Sequence, residues 1–348
     1  MMATLWFILV TGMLSMYMLL DGFDLGAGVL HLFAARDDAE RRVILRAIGP
    51  VWDGNEVWLI AAGGTLFFSF PLLYASAFSG FYLPLIIVLW LLMGRGIAIE
   101  LRSHLNNPIW SAFWDGVFFL ASTLLTIFLG AALANVVRGV PLDHSGYFFE
   151  PLWTNFDPKA TRPGILDWYT VLIGLLTCTA LTMHGATYIT GKTEGAVHAR
   201  ARRVVWGTWI ATIVLTVPAT IATFWLRSSL LTRFHDEPWG LIFPIVALGG
   251  IALVGHANAR GQELALFGGS SAFLFGLLSA TAFSLYPNVL PAVTPAYSLT
   301  IHNAAAADFG LKVGLIWWII AMVLVTGYFI LTYRLFRGKV RMGADHHG

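Results

Sequence analysis

The chain has 348 residues, of which 57% are hydrophobic and only 11% are charged. An ordinary soluble domain carries about 25% charged residues, so the composition excludes that class and indicates an all-α integral membrane protein in a lipid bilayer. The single cysteine, Cys178, lies in a hydrophobic run, which excludes intramolecular disulfides, cysteine-based zinc sites and iron–sulfur clusters. The formal net charge is +2, and no nucleic-acid partner is expected.

Nine stretches are apolar enough, and at about 20 residues long enough, to cross the hydrocarbon core as helices. The segment MMATLWFILV has no basic n-region and no cleavage site after it, so the first stretch is expected to remain as a helix. We expect one transmembrane domain over 1–348, with helices 1–4 in 4–138, helices 5–8 in 165–284 and helix 9 in 312–336. The nine stretches are roughly 4–33, 54–76, 78–102, 113–138, 165–190, 203–227, 239–258, 262–284 and 312–336.

Nine spans place the two ends of the chain on opposite sides of the membrane. With the N-terminus outside, the inner loops hold 15 of the 21 Lys and Arg residues, as the positive-inside rule requires. We therefore expect an N-out, C-in topology. The six basic residues on the outer side are then Arg138, Lys159, Arg162, Arg227, Arg233 and Lys312.

The segments between the spans have distinct compositions. The inner segment RDDAERRVILRAIG is charged first and apolar later, which predicts a short amphipathic helix on the membrane surface. The outer segment 139–164 contains four prolines and predicts an irregular loop. The outer segment that starts at YPNVLP is long and almost uncharged, and it is expected to dip into the membrane or to pack on a partner. His346 and His347 are more typical of a frayed tail than of a metal site.

Two carboxylates interrupt the first span, in the string LLDGFDLGAG. Asp21 and Asp24 are three residues apart and share one face of a helix. Gly22, Gly26 and Gly28 keep this region narrow, so a neighbouring helix is expected to approach closely. A carboxylate at membrane depth costs at least a few kcal/mol unless it is paired, hydrated or protonated. The pair therefore needs an explanation.

Two interpretations of the pair stay open. One is a structural salt bridge, to Arg95 or Arg102 on the third span. The other is a proton-accessible carboxylate pathway. Asp24 is the stronger candidate for proton handling, and Asp21 is expected to be protonated or hydrogen-bonded to a neighbour.

The predicted topology gathers six acidic residues at the inner ends of the first four spans. Each also has a structural interpretation: Asp53 and Glu56 fit a D-x-x-E capping arrangement, Asp115 is a plausible N-cap, and Glu100 is placed to pair with Arg102. Helices 5 to 9 bury almost no acid by comparison. The six residues are Asp21, Asp24, Asp53, Glu56, Glu100 and Asp115.

Histidines give a weaker signal. His31, His184 and His256 each lie near the inner end of a span. Histidine is a common haem and metal ligand, but no two of these share the spacing of a metal pair. A hydrogen-bonded histidine at a helix end is the expected role for each.

The strings LDGFDLGAG and GPVWDGNEVWLIAAGGTLF together resemble subunit II of the cytochrome bd-type quinol oxidases. The similarity continues through YASAFSGFY, ELRS, WDG, GATY and SLTIHNA, and so covers essentially the whole length. The HNA segment and Glu56 are closer to the cyanide-insensitive branch of that family, in which haem b can replace haem d.

The resemblance implies a subunit of a respiratory terminal oxidase in the bacterial plasma (inner) membrane, which oxidises quinol and reduces oxygen to water. It implies two four-helix bundles plus one peripheral helix. The partner in the heterodimer would be subunit I, which carries haem b and haem d, with no haem or metal ligated by the present chain. The resemblance also allows a structural quinone in this subunit and a small accessory subunit, neither of which the sequence places.

The family's proposed proton route enters from the cytoplasm and passes carboxylates at the subunit interface. By motif these positions are Asp24 in DGFD and Asp53 in WDG, with Trp52 beside the latter. Asp21 and Glu56 are expected to belong to the same pathway, supported by a polar cluster of Glu100, Arg102 and Asp115. No catalytic residue is expected in this chain. Two other functions stay open: a proton-coupled transporter that uses the same carboxylates, and a purely structural scaffold.

Overall fold

The computed structural model describes residues 1–340, so His346 and His347 lie outside the described residues. The described chain is mostly helical, and its only strands form one short hairpin. The helices are α1 (Met2–Ala34), α2 (Asp38–Ile48), α3 (Trp52–Ser69), α4 (Pro71–Gly80), α5 (Tyr82–Leu101), α6 (Pro108–Arg138), α7 (Trp168–Lys192), α8 (Gly195–Leu226), α9 (Ser229–Asp236), α10 (Ile242–Arg260), α11 (Glu263–Leu285) and α12 (Asp308–Leu335).

Eight helices within residues 1–340 are long and apolar enough to cross a membrane, so the chain is a multi-pass membrane protein. The second predicted span, 54–76, differs from the prediction. It consists of the 18-residue helix α3 and the short helix α4, which are separated at Phe70. Pro71 supplies no backbone N–H and disfavours the helical conformation at the residue before it. The polar start of α3, WDGNE, keeps that helix out of the eight.

Seven of the eight spanning helices, together with α3, form two groups around α1. Helices α3, α5 and α6 pack on or beside α1 in the first group, and α7, α8, α10 and α11 form the second. The two groups meet where α1 crosses α7, and a Cβ built on Gly26 of α1 would lie 1.9 Å from the Leu181 carbonyl oxygen. A Cβ built on Gly185 of α7 would lie 2.4 Å from the carbonyl carbon of Gly26. The expected close approach of a neighbouring helix to this glycine-rich region is therefore confirmed.

Helix α12 lies at the periphery of the first group. It contacts α1, and its Trp318 Nε1 donates to Met13 Sδ at 3.4 Å. Most of its apolar side chains are exposed, with Trp317 at 68% and Leu324 at 70%. Two four-helix groups and one peripheral helix agree with the predicted architecture.

Helix α2 confirms the predicted amphipathic helix. Asp37 is its N-cap and accepts from the Glu40 backbone N–H at 2.9 Å. Its apolar face, including Val43, Ile44 and Ile48, is buried. We refer to the end of the bundle that carries α2 as the α2 end.

The opposite end, here the loop end, contains the irregular loop 139–167 that the prolines predicted. The later Pro-rich segment, which is expected to dip into the membrane or to pack on a partner, packs on this loop of its own chain, and a contact with a partner stays a prediction. It forms a hairpin of β1 (Asn288–Leu290) and β2 (Leu299–Thr300), and the Val140 backbone N–H donates to Pro291 O at 3.0 Å. Neither the hairpin nor helix α9 was predicted.

A buried charge cluster holds the loop end together. Arg138, the last residue of α6, pairs with Glu150 at 2.7 Å and with Asp167, and all three are buried. Asp167 is also the N-cap of α7 and completes a capping box with Thr170. Desolvation raises the pKa of Glu150 to about 7, although Arg138 opposes that shift. The carboxyl group of Glu150 is therefore protonated more readily in the folded protein than in the unfolded chain.

The stability of the folded chain should therefore fall as the pH rises from about 4.5, the ordinary value for Glu150, through about 7. Below that window the carboxyl group is protonated in both states. A shift of this size corresponds to about 3 kcal/mol. Unfolding midpoints of the wild type and of Glu150→Gln, measured between pH 4.5 and 8, should show a smaller slope for the variant. The exposed Glu194, changed to Gln, is the control, and equal slopes in all three proteins would contradict the prediction.

Candidate functional site

One buried network joins helices α1, α3 and α5 toward the α2 end. Arg95 of α5 is fully buried, and its Nη2 donates to Asp21 Oδ1 at 2.6 Å and to Glu56 Oε2 at 2.8 Å. Asp21 is also fully buried, whereas the Glu56 side chain keeps 20% of its surface exposed. We refer to Asp21, Glu56 and Arg95 as the Arg95 network. The expected hydrogen bond of Asp21 to a neighbour is present, and Arg95 rather than Arg102 makes it.

Asp24 lies one turn further along α1 and has a different partner. Asn55 Nδ2 of α3 donates to Asp24 Oδ2 at 2.8 Å, and Asn55 Oδ1 accepts from the Tyr333 hydroxyl of α12 at 3.0 Å. The other oxygen of the Asp24 carboxyl group has no hydrogen-bond partner within residues 1–340. The two carboxyl groups are therefore distinguished by their surroundings: Asp21 faces a cation, and Asp24 faces a neutral amide.

The first turn of α3 carries Trp52 and Asp53. Asp53 is exposed, and the Trp52 ring packs on α5 at Gly96, whose built Cβ would lie 3.4 Å from it. The predicted D-x-x-E cap is wrong, because α3 begins at Trp52 after Val51 and no side chain caps it. Asp53 instead lies inside the first turn, where the helix dipole stabilises a negative charge.

A second network surrounds Asp115 of α6. Its carboxylate accepts from His31 Nε2 at 2.6 Å, from Arg41 Nη1 at 2.9 Å and from Arg102 Nε at 2.6 Å. Arg102 also donates to Asp38 of α2 at 2.8 Å. We refer to these five residues as the Asp115 network. It fixes α2 across the ends of α1, α5 and α6.

Two sequence predictions about these residues are wrong. Asp115 is not an N-cap, because α6 begins at Pro108 and Asn107 Oδ1 accepts from the Ile109 backbone N–H at 2.9 Å. Glu100 is exposed, whereas Arg102 is directed at Asp115 and Asp38. The early start of α6 places Asp115 in its second turn, where its carboxylate reaches the buried guanidinium of Arg102.

Outside the spanning helices, the charges of α2 are compensated by pairs. Partial burial opposes ionisation of Asp38, but hydrogen bonds from Arg42 and Arg102 hold its pKa below the ordinary value. Burial likewise acts against Glu40, and Arg200 together with the Arg36 backbone N–H lowers its pKa. Both residues stay ionised at neutral pH.

Sequence reasoning missed several members of these networks. His31 was expected only to be hydrogen-bonded, and its partner Asp115 lies 84 positions away. Arg41 of α2 pairs with Asp115, and Tyr333 of α12 donates to Asn55. No regular spacing in the sequence relates either residue to its partner. Asn55 is the one member that the sequence could have indicated, because it is a third polar side chain, between Asp53 and Glu56, at the start of an otherwise apolar segment.

The sequence profile of the cytochrome bd terminal oxidase subunit II family matches residues 2–336. Cytochrome bd ubiquinol oxidase subunit 2 of Bacillus subtilis (strain 168) is 32% identical over 338 residues, covering 97% of this chain and 96% of that protein. Cytochrome bd-I ubiquinol oxidase subunit 2 of Escherichia coli (strain K12) is 31% identical over 353 residues, with 92% and 89% covered.

The fold is similar to a chain of the solved bd oxidase from Geobacillus thermodenitrificans, with a TM-score of 0.74 and 16% sequence identity. The likeness covers 96% of this chain and 98% of that one. The family profile and the relatives span nearly the whole chain, including the helices that carry both networks. The chain therefore belongs to the cytochrome bd terminal oxidase subunit II family.

Proposed function

We propose that this subunit delivers protons from the cytoplasmic side to the oxygen-reducing centre of a quinol oxidase complex. The B. subtilis and E. coli relatives are named as ubiquinol oxidase subunits, which supports a quinol substrate and a partner oxidase subunit. The partner would be the haem-bearing subunit I, in a heterodimer of the bacterial inner membrane. The charge distribution over the loops supports the N-out, C-in orientation, which puts the α2 end in the cytoplasm.

The contrast between the two buried carboxyl groups of α1 carries this proposal. Asp21 forms an ion pair with Arg95, so protonating it would leave a buried guanidinium short of its partner. Asp24 has only the neutral Asn55 side chain as a donor, and one oxygen of each of the two carboxyl groups has no partner within residues 1–340. Asp24 can gain and lose a proton without breaking an ion pair, and this makes it the proton-exchanging group.

The residues of α3 supply the entry. Asp53 is exposed at the start of the helix, and Glu56 is one turn further in and partly exposed. Glu56 contacts Arg95, which also holds Asp21. In this proposal protons arrive at Asp53, pass along the partly exposed side of Glu56 and reach Asp24, while Arg95 keeps the buried Asp21 paired.

Two buried histidines of the spanning helices, His31 and His184, are already engaged by protein groups. His184 uses both ring nitrogens, Nδ1 with Ser270 and Nε2 with the Leu19 carbonyl, and His31 is bound to Asp115. No group of three His, Cys, Asp or Glu within residues 1–340 could hold a metal ion. Family membership supports haem in the complex, and we propose that haem b, with haem d or a second haem b in its place, is held by the partner subunit. A reduced-minus-oxidised spectrum of the co-purified complex distinguishes the two haem compositions.

Asp24→Asn tests the proposal in the purified complex. The amide keeps the shape of the side chain and its place beside Asn55 but cannot carry a proton. We expect quinol-dependent oxygen consumption to fall at least tenfold, since proton transfer by a positioned group typically contributes a factor of about 10² or more. Haem content and partner co-purification should stay at the wild-type level.

Glu194→Gln is the matched control, because Glu194 is an exposed acid at the same end and outside both networks. It should turn over like the wild type. Wild-type oxygen consumption by Asp24→Asn would exclude the proton role. Loss of the partner subunit from that variant would instead favour a scaffold that only holds the complex together.

A further inference from the structure

A second polar site lies at the loop end, away from both carboxylate networks. A cavity of about 240 Å³ opens between α9 and the end of α11. One ordered water needs only about 10–15 Å³ of such space, so the cavity has room for a larger group. Two arginines from neighbouring elements line it: Arg227, directly after α8, and Arg233 in α9.

The donors of both arginines are only partly used by the protein. Arg227 Nη1 donates to the Ala292 carbonyl at 3.2 Å, while its Nε is buried without an acceptor within residues 1–340. The Arg233 guanidinium stacks over the rings of Phe283 and Tyr286, at 5.4 and 5.1 Å from their centroids, and its Nε also lacks an acceptor. The Nη atoms of Arg233 and Nη2 of Arg227 have no acceptor among residues 1–340 and are not buried, so these donors are available to an acceptor in the cavity.

The rest of the lining also favours an anion. Ser229, Thr232 and Asn288 add donor groups, and Asp236 is the one carboxylate among the lining residues, all of which belong to the described part of the chain. The lining therefore carries two guanidinium groups and one carboxylate, which is exposed, so its net charge is positive. Arginine forks match the paired oxygens of phosphate groups, so the chemistry of this cavity is that of a phosphate site.

The position of the cavity indicates where the phosphate comes from. The spanning helices α8 and α11 end at Leu226 and Leu285, directly beside it. The neighbouring surface is apolar and exposed, with Leu231 at 48% and Trp239 at 61%. Tryptophan is enriched where a membrane meets water. A phosphate held here would sit at headgroup level with apolar surface below it for acyl chains.

We propose that Arg227 and Arg233 form a phosphate-binding site on the outer face of this subunit, which takes the headgroup of an anionic phospholipid. The test uses the purified, delipidated oxidase complex and follows its unfolding midpoint. The probes are dioleoylphosphatidylglycerol, dioleoylglycerol with the same acyl chains but no phosphate, and inorganic phosphate. The phospholipid should raise the midpoint of the wild type more than dioleoylglycerol does, because a ligand that binds the folded state stabilises it.

The double variant Arg227→Gln/Arg233→Gln should bind the phospholipid at least tenfold more weakly. Arg162→Gln removes an exposed arginine of the same end and should bind it like the wild type. An arginine-dependent rise with inorganic phosphate alone would support the phosphate site and overturn the lipid as its source. Equal responses of the wild type and the double variant would overturn the site.

Thr232→Asp keeps both arginines and tests the same site if the double variant fails to assemble. It places a carboxylate in the cavity, where it would compete for the guanidinium groups and repel phosphate. The difference between phosphatidylglycerol and dioleoylglycerol should disappear in this variant. Its persistence at the wild-type size would overturn the proposal.

Discussion

Asp115→Ala is expected to destabilise the folded chain by about 3–5 kcal/mol, since removing one partner of a buried ion pair leaves the other charges uncompensated. Arg102 is buried and would lose its closest acceptor, and Arg41 and His31 would lose theirs as well. Because Arg41 lies on α2, the loss of this ion pair should first release α2 from the ends of α1, α5 and α6. Denaturant unfolding, together with proteolysis within α2, measures both effects.

Asp38→Asn is the matched control for this prediction. Asp38 also pairs with Arg102, at 2.8 Å, but its side chain is 53% exposed. Exposed pairs contribute about 0–1 kcal/mol, so this variant should stay within about 1 kcal/mol of the wild type. An Asp115→Ala protein no less stable than Asp38→Asn would mean that the buried network does not fix α2.

Arg95→Met is the second change with a large expected effect. It replaces the cation with an apolar side chain of similar length and leaves Asp21 buried with no cation beside it. A buried charge without its partner costs about 3–5 kcal/mol. The unfolding free energy of the complex should drop by that amount, and turnover should fall with it, because Glu56 and Asp21 lose their common donor.

A double variant separates the energy of the Asp21–Arg95 ion pair from other effects of the Arg95→Met substitution. Arg95→Met/Asp21→Asn removes both charges and should be more stable than Arg95→Met alone. The non-additive part of the cycle then reports the Asp21–Arg95 interaction, because the two residues are in direct contact. If the second substitution restores nothing, the ion pair is not what stabilises this position.

The sequence predicts much of this molecule because its strongest signals are local. Apolar runs of about 20 residues are sufficient to place α1, α5 and the later spans. The charged-then-apolar order of the inner segment predicts α2. The acids that face the bundle interior are visible as interruptions of apolar runs, so Asp21 and Asp24 are found without a structure.

Partner choice cannot be predicted in the same way. Whether Arg102 pairs with Glu100, two positions away, or with Asp115, 13 positions away, depends on where α6 begins and how it packs. The break at Phe70 follows from Pro71, yet apolar composition continues across it and conceals it. The hairpin at the loop end is too short for an alternating pattern to be recognised.

The crossing of α1 and α7 positions the helix segment that carries Asp21 and Asp24. At Gly26 the two backbones are so close that even a methyl group has no room, and Gly185 faces it from the other helix. A side chain larger than hydrogen at either position would therefore push the two helices apart. The carboxyl groups of Asp21 and Asp24 are thus carried on a helix that is packed backbone to backbone against α7, so the proton transfer proposed above would proceed by side-chain rotation and water rearrangement.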